Sequence, residues 1–161
     1  MTIAIRPAAR ADLPLIAALI RELAAYEKLA DAVRFDEAVL GEHLFGACPA
    51  AEVVIGEVDG EAAGFALFFH NFSTFEGKPG IYLEDLFVRP AARGLGLGKA
   101  LLAHLAALAV TRGCARLEWS VLDWNAPAIG FYESLGATMM GDWRIMRVDG
   151  AALARFGAAA D

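Results

Sequence analysis

The sequence predicts an α/β domain in which helices flank a mixed sheet, partly antiparallel and partly parallel. Two strand-like runs, Glu52–Val58 and Glu61–Phe69, enclose an Asp-Gly turn, as expected for an antiparallel hairpin. Farther along, a strand-like run from Tyr82 leads through a glycine-rich turn into a long apolar helical segment, a crossover that connects parallel strands. We expect a single domain over residues 1–161, because this length is enough for one hydrophobic core.

The elements of the N-terminal half follow from hydrophobic spacing and from capping residues. Residues 2–6 are a short strand that ends at Pro7. Asp12 caps a helix whose apolar residues recur at helical spacing, and Asp36 caps a second, shorter helix. The hairpin comes next. Residues 71–80, rich in aromatic residues, glycine and proline, are expected to form a loop.

The C-terminal half continues the alternation of helices and strands. The glycine-rich turn begins a helix from about Leu97 to Arg112, and a strand follows over residues 115–122. Asn125 begins another helix, with a proline in its first turn. Residues 138–148 can supply one or two final strands around a Gly-Asp turn, and Asp149 caps a short terminal helix.

Composition narrows the classes of function. A formal charge of −6, without any block of lysine or arginine, argues against a nucleic-acid partner. Cys48 and Cys114 lack metal-ligand spacing, so we expect free thiols in a reducing compartment and no bound metal. We expect no signal peptide, because Arg6, Arg10 and Asp12 interrupt the first apolar residues. The longest apolar helix is too short to cross a bilayer, and the sequence therefore predicts a cytoplasmic protein without a membrane partner.

The turn between the central strand and the long helix has the composition of an anion-binding loop. Its glycines carry no Cβ, so a ligand can approach the backbone, and amides at a helix N-terminus attract anions. A Walker A loop needs glycine where this chain has Arg93 and a hydroxyl residue where it has Ala100. A dinucleotide fingerprint needs its third glycine where this chain has Lys99, so the loop matches neither motif. A connection that binds no ligand is the alternative interpretation. The loop consists of Arg93, Gly94, Leu95, Gly96, Leu97, Gly98 and Lys99.

Four segments of the chain carry a resemblance to a known family. They are LIRELAAYEKL at residues 19–29, FSTFEGKPGIYLEDLFV at 72–88, RGLGLGK at 93–99 and VLDWNAPAIGFYESLGA at 121–137. The third segment resembles the pyrophosphate-binding loop of the GNAT acetyltransferases, with arginine, glycine and glycine at its three defining places. In order and separation, the four segments resemble the diamine and thialysine N-acetyltransferase branch of that superfamily.

The resemblance implies a single-domain GNAT fold and transfer of acetyl from acetyl-CoA to a small primary amine, thialysine- or lysine-like, by direct attack in a ternary complex. Because members of the branch are homodimers, it implies a homodimer as well. Polyamines or protein amines are the alternative acceptors, and a non-enzymatic acyl-CoA-binding module is a third interpretation. Ser73 stands where polyamine-acetylating members carry an acid, which argues against long polyamines. Tyr26 and Glu27 match the acceptor-contacting pair of the branch, although an exposed helix end explains them equally well.

Acetyl transfer to an ammonium group needs a base for its proton and benefits from an acid for the departing thiolate. Glu84 and Asp85 are consecutive on a strand, so we expect them on opposite faces of the sheet. By resemblance, Glu84 binds the ammonium and relays its proton through water, while Tyr132 is the proton donor to sulfur. From the residues alone, Glu84 can also be an exposed strand carboxylate, Asp85 a hydrogen-bonded structural acid and Tyr132 a core tyrosine.

The resemblance also implies residues that bind the pantetheine arm of the coenzyme. Leu86, Phe87 and Val88 would contribute backbone groups where the central strand separates from its neighbour. Asn125 would hydrogen-bond the arm, although it can also serve as a simple helix N-cap. Tyr132 belongs to this set too, since its hydroxyl would reach the thioester sulfur.

Overall fold

The computed structural model describes residues 1–160, which form two compact units. The first unit comprises Met1–Ser120 and contains the whole sheet. The second unit begins at Val121 and is helical where it is regular. Among residues 1–160, no helix has the length and apolar character needed to cross a membrane.

Five strands form one mixed sheet in the first unit, which confirms the predicted fold class. Their order across the sheet is their order along the chain. The first four strands pair antiparallel, and the fourth and fifth pair parallel. The strands are β1 (Ile3–Pro7), β2 (Glu52–Val58), β3 (Glu61–Ser73), β4 (Lys78–Val88) and β5 (Leu117–Trp119).

Helices cover both faces of the sheet, namely α1 (Leu13–Tyr26), α2 (Glu37–Phe45) and α3 (Leu97–Thr111). Apolar residues of α1 and α2 form a buried cluster with Ile55 and Phe65, and this side of the sheet is called the α1 face. Gly56 follows Ile55 and points to the other side. A Cβ added at Gly56 would meet the side chain of Leu97 at 2.8 Å, so α3 lies on the opposite, α3 face.

The hairpin of β3 and β4 is longer than predicted. The sequence suggests a loop over residues 71–80, but β3 continues to Ser73 and β4 begins at Lys78, which pairs with Ser73. The Oγ of Ser73 accepts a hydrogen bond from the N–H of Glu76 at 3.2 Å, which closes the turn. Strand pairing therefore overrides the loop-like composition of this segment.

The fifth strand is shorter than predicted, because only Leu117–Trp119 of residues 115–122 pairs with β4. Its partners on β4 are Ile81 to Leu83. The sheet therefore ends on this side after three residue pairs, a feature that bears on the functional site.

The second unit contains α4 (Ala126–Ser134) and α5 (Gly150–Gly157). The prediction of final strands over residues 138–148 is wrong for the described chain, since this segment contains only a turn. A strand needs a partner strand, and none of the described strands pairs with it. Its large apolar side chains are exposed, for example Trp143 at 77% and Met146 at 91%.

Candidate functional site

A β-bulge lies in the centre of β4. Leu83 pairs with Phe68 and Asp85 pairs with Leu67, so Glu84 has no partner on β3. A bulge inserts one residue into a strand and disturbs the alternation of side chains. Such irregularities are common beside active sites.

The bulge places Glu84 and Asp85 on the same face of the sheet. Asp85 lies opposite Leu67, a member of the buried cluster on the α1 face. Leu83 lies opposite Phe68 and points to the α3 face. Glu84 is the next residue, so it turns to the α1 face; the bulge interrupts the alternation only after it, which leaves Asp85 on the α1 face as well. The expectation that the two carboxylates point to opposite faces is wrong, because it assumes an unbroken strand.

Three carboxylates meet near the C-terminal end of α1. Burial first, and then the negative charges of Glu84 and Glu27, together raise the pKa of Asp85 to about 6. Burial also raises the pKa of Glu27, the residue that follows α1. Glu27, Glu84 and Asp85 form the carboxylate cluster of this site.

The carboxylate cluster has no cationic partner in residues 1–160, where every ion pair involves other carboxylates. The side chain of Asp85 makes no hydrogen bond within this part of the chain, contrary to the structural role that the sequence suggests for it. Glu27 and Asp85 are half-buried and Glu84 is exposed. Acids grouped in this way without a counter-charge attract a cation from solution. In the described residues, no group of three or more Asp, Glu, His and Cys side chains is placed to hold a metal ion.

Beyond the bulge, β4 has a free edge. Pairing with β5 stops at Leu83, so no described strand pairs with residues 84–88 on that side. The N–H of Arg89 donates to Ala63 O at 2.8 Å, which directs its backbone toward β3. Along an antiparallel strand, the N–H and C=O groups of successive residues point alternately to one neighbouring strand and to the other. The backbone groups of Leu86 and Val88 therefore point to the free edge, and those of Phe87 point to β3.

The anion-binding loop keeps its amides available. Gly94 and Gly96 have φ angles of 78° and 92°, a conformation that other residues rarely adopt, which explains glycine at both positions. The first amide of α3 with a protein partner is that of Ala100, which donates to Gly96 O at 3.0 Å. The amides of residues 94–99 make no hydrogen bond to any residue in the described part of the chain.

The fold does not require glycine at position 98. Gly98 has no positive φ, and a Cβ at this position would lie 3.8 Å from Val88 Cγ2, an ordinary van der Waals contact. An alanine would therefore fit the protein and would favour the helix. Lys99 follows and is exposed to solvent. The loop thus has the amides, the open backbone and the positive charge that a diphosphate needs.

Arg93 begins the loop and contacts residues of β4 and α1. Its Nε donates to Val88 O at 3.0 Å. Its guanidinium carbon lies 4.8 Å from the ring centroid of Tyr26 and 5.8 Å from that of Phe87. Tyr26, which the sequence assigns to the acceptor site, therefore contacts the first residue of the loop.

Asn125 and Tyr132 both belong to α4 in the second unit. Asn125 is the N-cap of this helix, and its Oδ1 accepts from the N–H of Ala128 at 3.4 Å. Its side chain is buried, with 8% exposure. The Tyr132 ring lies 5.5 Å from that of Phe131, between centroids. The N-cap role of Asn125 is confirmed, and the contact of either residue with a coenzyme stays a prediction.

The chain is similar in sequence to proteins that are named N-acetyltransferases. It is 40% identical to the thialysine N-epsilon-acetyltransferase of Bos taurus over 160 residues, which cover 92% of this chain and 94% of that protein. It is 35% identical to the spermidine/spermine N(1)-acetyltransferase-like protein 1 of Homo sapiens over 89% of this chain and 22% of that protein. Among solved structures, an integron cassette protein from V. cholerae matches with a TM-score of 0.80 at 28% identity, covering 98% of both chains.

A sequence model described as "Acetyltransferase (GNAT) family" matches residues 18–137. This range contains α1, the bulge, the free edge of β4, the anion-binding loop and α4. With most of its length matched, the chain belongs to the acetyltransferase (GNAT) family, a family of acyltransferases that transfer acetyl groups to amines.

Proposed function

We propose that the protein transfers acetyl from acetyl-CoA to a small primary amine of the thialysine or lysine type, by direct attack in a ternary complex. One observation carries this proposal. Along β4 and the loop that follows it, the carboxylate cluster, a free strand edge and a row of unpaired amides occur in succession. These three features suit a cationic amine, the amides of a pantetheine arm and a diphosphate, respectively.

Residues of the loop and of the free edge would hold acetyl-CoA. The amides of residues 94–99 would bind the diphosphate, with Arg93 and Lys99 adding positive charge. The backbone groups of Leu86 and the N–H of Val88 would pair with the pantetheine arm as an added strand does, while Val88 O accepts from Arg93 Nε. The coenzyme supplies a thioester, from which the acetyl group is transferred.

The carboxylate cluster would bind the amine and take its proton. A lysine-like ammonium has a pKa of about 10.4, so at neutral pH it must lose a proton before its nitrogen can attack. Glu84 is the residue that we assign to this step, through water. Asp85 joins it on the α1 face, and a carboxylate with a pKa of about 6 is a stronger base than an ordinary one. Glu27 adds negative charge, and Tyr26 adds an aromatic wall for the cation.

The departing thiolate would receive its proton from Tyr132, and Asn125 would hydrogen-bond the pantetheine arm. A thiol has a pKa of about 8.5, so the leaving group is tolerable and a proton donor accelerates the reaction without being indispensable. Neither cysteine has a part in this scheme, since direct attack needs no acetyl-enzyme.

An acceptor panel tests this proposal. Purified enzyme with acetyl-CoA is assayed for thiol release with thialysine, lysine, ornithine, spermidine and a lysine-containing peptide. We expect the highest kcat/KM with thialysine or lysine, and intersecting lines when both substrates are varied. Faster turnover of spermidine would select the polyamine alternative, which the human relative supports. A preference for the peptide would select a protein amine, and parallel lines with an acetylated cysteine would exclude direct attack.

If the protein binds CoA but acetylates none of the amines, the result would favour the non-enzymatic acyl-CoA-binding module. This third alternative requires an acceptor cleft that is blocked. The retention of Glu27, Glu84 and Asp85 without a cationic partner in residues 1–160 favours the enzyme, because such a cluster is costly to keep unless a cation is bound.

We further propose that the chain functions as a cytoplasmic homodimer with one catalytic domain over residues 1–161. The family match crosses the boundary between the two units, which supports a single domain. Exposed apolar side chains in residues 138–148, such as Ile145 at 75%, support a contact with a second copy. Light scattering after size-exclusion chromatography should give twice the chain mass of 17.1 kDa. A value equal to the chain mass would contradict the dimer.

A further inference from the structure

The guanidinium of Arg93 is held in a defined orientation by three neighbours. Its Nε donates to Val88 O at 3.0 Å, and its central carbon lies 4.8 Å from the Tyr26 centroid and 5.8 Å from the Phe87 centroid. One hydrogen bond and two aromatic rings restrict the rotation of a side chain that is otherwise long and mobile. Phe87 is buried and fixed in the core, whereas Tyr26 is 42% exposed at the end of α1.

The Nη groups of Arg93 are available for a ligand. Within residues 1–160, the guanidinium makes its one hydrogen bond through Nε, and it takes part in no ion pair. Arg93 directly precedes the amides of residues 94–99, which also lack partners in this part of the chain. Paired N–H donors on a planar guanidinium match the oxygens of a phosphate, and holding the plane beforehand reduces the entropy lost on binding.

We propose that Tyr26 is a positioning residue for the coenzyme, because its ring holds Arg93 in the orientation that binds the diphosphate of acetyl-CoA. This inference rests on the proposed function and adds a role to a residue that the sequence assigns only to the acceptor. It also connects two sites. Tyr26 adjoins Glu27 of the carboxylate cluster, so an amine that moves the Tyr26 ring changes the affinity for the coenzyme, and the coenzyme changes the affinity for that amine by the same factor.

The test measures the Kd of CoA by calorimetry in the absence of any amine. A cation–π contact at an exposed site contributes about 0.5–1 kcal/mol, so Tyr26→Leu should raise this Kd about two- to fivefold. Tyr26→Phe keeps the ring and should retain the wild-type Kd. Phe35→Leu is the matched control, because Phe35 makes a similar contact, 4.9 Å, with Arg21. Its loss should leave the Kd of CoA unchanged.

A double-mutant cycle decides whether Tyr26 acts through Arg93. In an Arg93→Gln background, Tyr26→Leu should cause no further loss of CoA affinity, because the stacked guanidinium is already gone. An equal loss in both backgrounds would overturn the inference, as would a Tyr26→Leu variant that binds CoA like wild type. A wild-type protein that does not bind CoA would overturn the proposed function together with the inference. Wild-type binding with an unaffected Tyr26→Leu variant overturns the inference alone.

Discussion

Glu84 and Asp85 are neighbours in the chain, and both point to the α1 face of the sheet. This arrangement exists because Leu83 pairs with Phe68 while Asp85 pairs with Leu67. Two acids are thereby concentrated where a regular strand would present one. The proximity has an energetic cost, since Asp85 is half-buried and lies beside two other negative charges.

The stability of the protein should reveal this cost. With its pKa raised from 3.8 to about 6, the Asp85 carboxyl binds its proton more tightly in the folded state than in the unfolded state. The folded state therefore loses stability as the pH rises from about 4 to about 6, and the full penalty remains at pH 7, up to about 3 kcal/mol at about 1.4 kcal/mol per pH unit.

Urea unfolding at pH 7 and at pH 4 tests the expectation that Asp85→Asn is more stable than wild type at neutral pH, with an advantage that disappears in acid. Glu61→Gln is the control for loss of one negative charge, since Glu61 is exposed at the start of β3. An Asp85→Asn variant that is less stable than wild type at pH 7 would contradict the absence of a counter-charge.

The same carboxyl should shape the pH dependence of catalysis. Protonation of Asp85 removes negative charge and basicity from the proposed acceptor site, so kcat/KM for a lysine-type amine should fall as the pH is lowered through about 6. In Asp85→Asn this limb of the profile should be absent or displaced to lower pH, with kcat/KM reduced throughout. A wild-type profile that is flat between pH 5 and 7 speaks against a role for Asp85, whatever the effect of the substitution on the fold.

Removal of the Tyr132 hydroxyl should slow the chemical step. General acids typically contribute about 10²–10⁴-fold, and the modest pKa of a thiol places the expected decrease of kcat in Tyr132→Phe near the lower end. The Kd of CoA should change little. Tyr82→Phe is the matched control, since the Tyr82 hydroxyl is bound to Ser120 Oγ at 2.7 Å, away from any assigned catalytic role. Equal kcat values for Tyr132→Phe and wild type would remove Tyr132 from the mechanism.

Gly98→Ala separates coenzyme binding from folding. Alanine fits the local backbone and favours the helix, so the variant should be as stable as wild type or more stable by about 0.5–1 kcal/mol. The added methyl should block the approach of the diphosphate to the amides. Loss of one hydrogen bond to a charged group costs about 1.5–3 kcal/mol, which raises the Kd of CoA about tenfold or more.

Gly130→Ala provides the comparison, because Gly130 lies within α4 and a Cβ there meets nothing within 4 Å. The two variants should gain similar helix stability, while CoA affinity falls in Gly98→Ala alone. Unchanged affinity in both would argue that the coenzyme lies elsewhere.

Local patterns predicted the elements and the loop well. The spacing of apolar residues identified α1 and α3, and the turn between Val58 and Glu61 identified the first hairpin. The glycine-rich loop lies where the sequence predicts it, although its structure adds a reason for Gly94 and Gly96 that the sequence analysis does not give, since both have a left-handed backbone. Such signals lie within a few residues of each other, so one chain segment is sufficient to interpret them.

Features that depend on a partner strand could not be predicted in this way. The register of β4 against β3 creates the bulge at Glu84, and the amino-acid sequence of β4 alone does not specify that register. For the same reason the sequence overestimates β5 and misses the continuation of β3 to Ser73. The contact between Tyr26 and Arg93 joins residues far apart in the chain, and only the folded structure brings them together.

The free edge of β4 beyond Leu83 has a consequence for handling the protein. Apart from Val88 O, which accepts from Arg93 Nε, the backbone groups of this edge have no strand partner, and such an edge can pair with a strand of another molecule and seed aggregation. In the function that we propose, the pantetheine arm would occupy this edge and shield it. Preparations kept with CoA should therefore remain monodisperse for longer than those without it, because the bound coenzyme would protect the edge from pairing with another molecule.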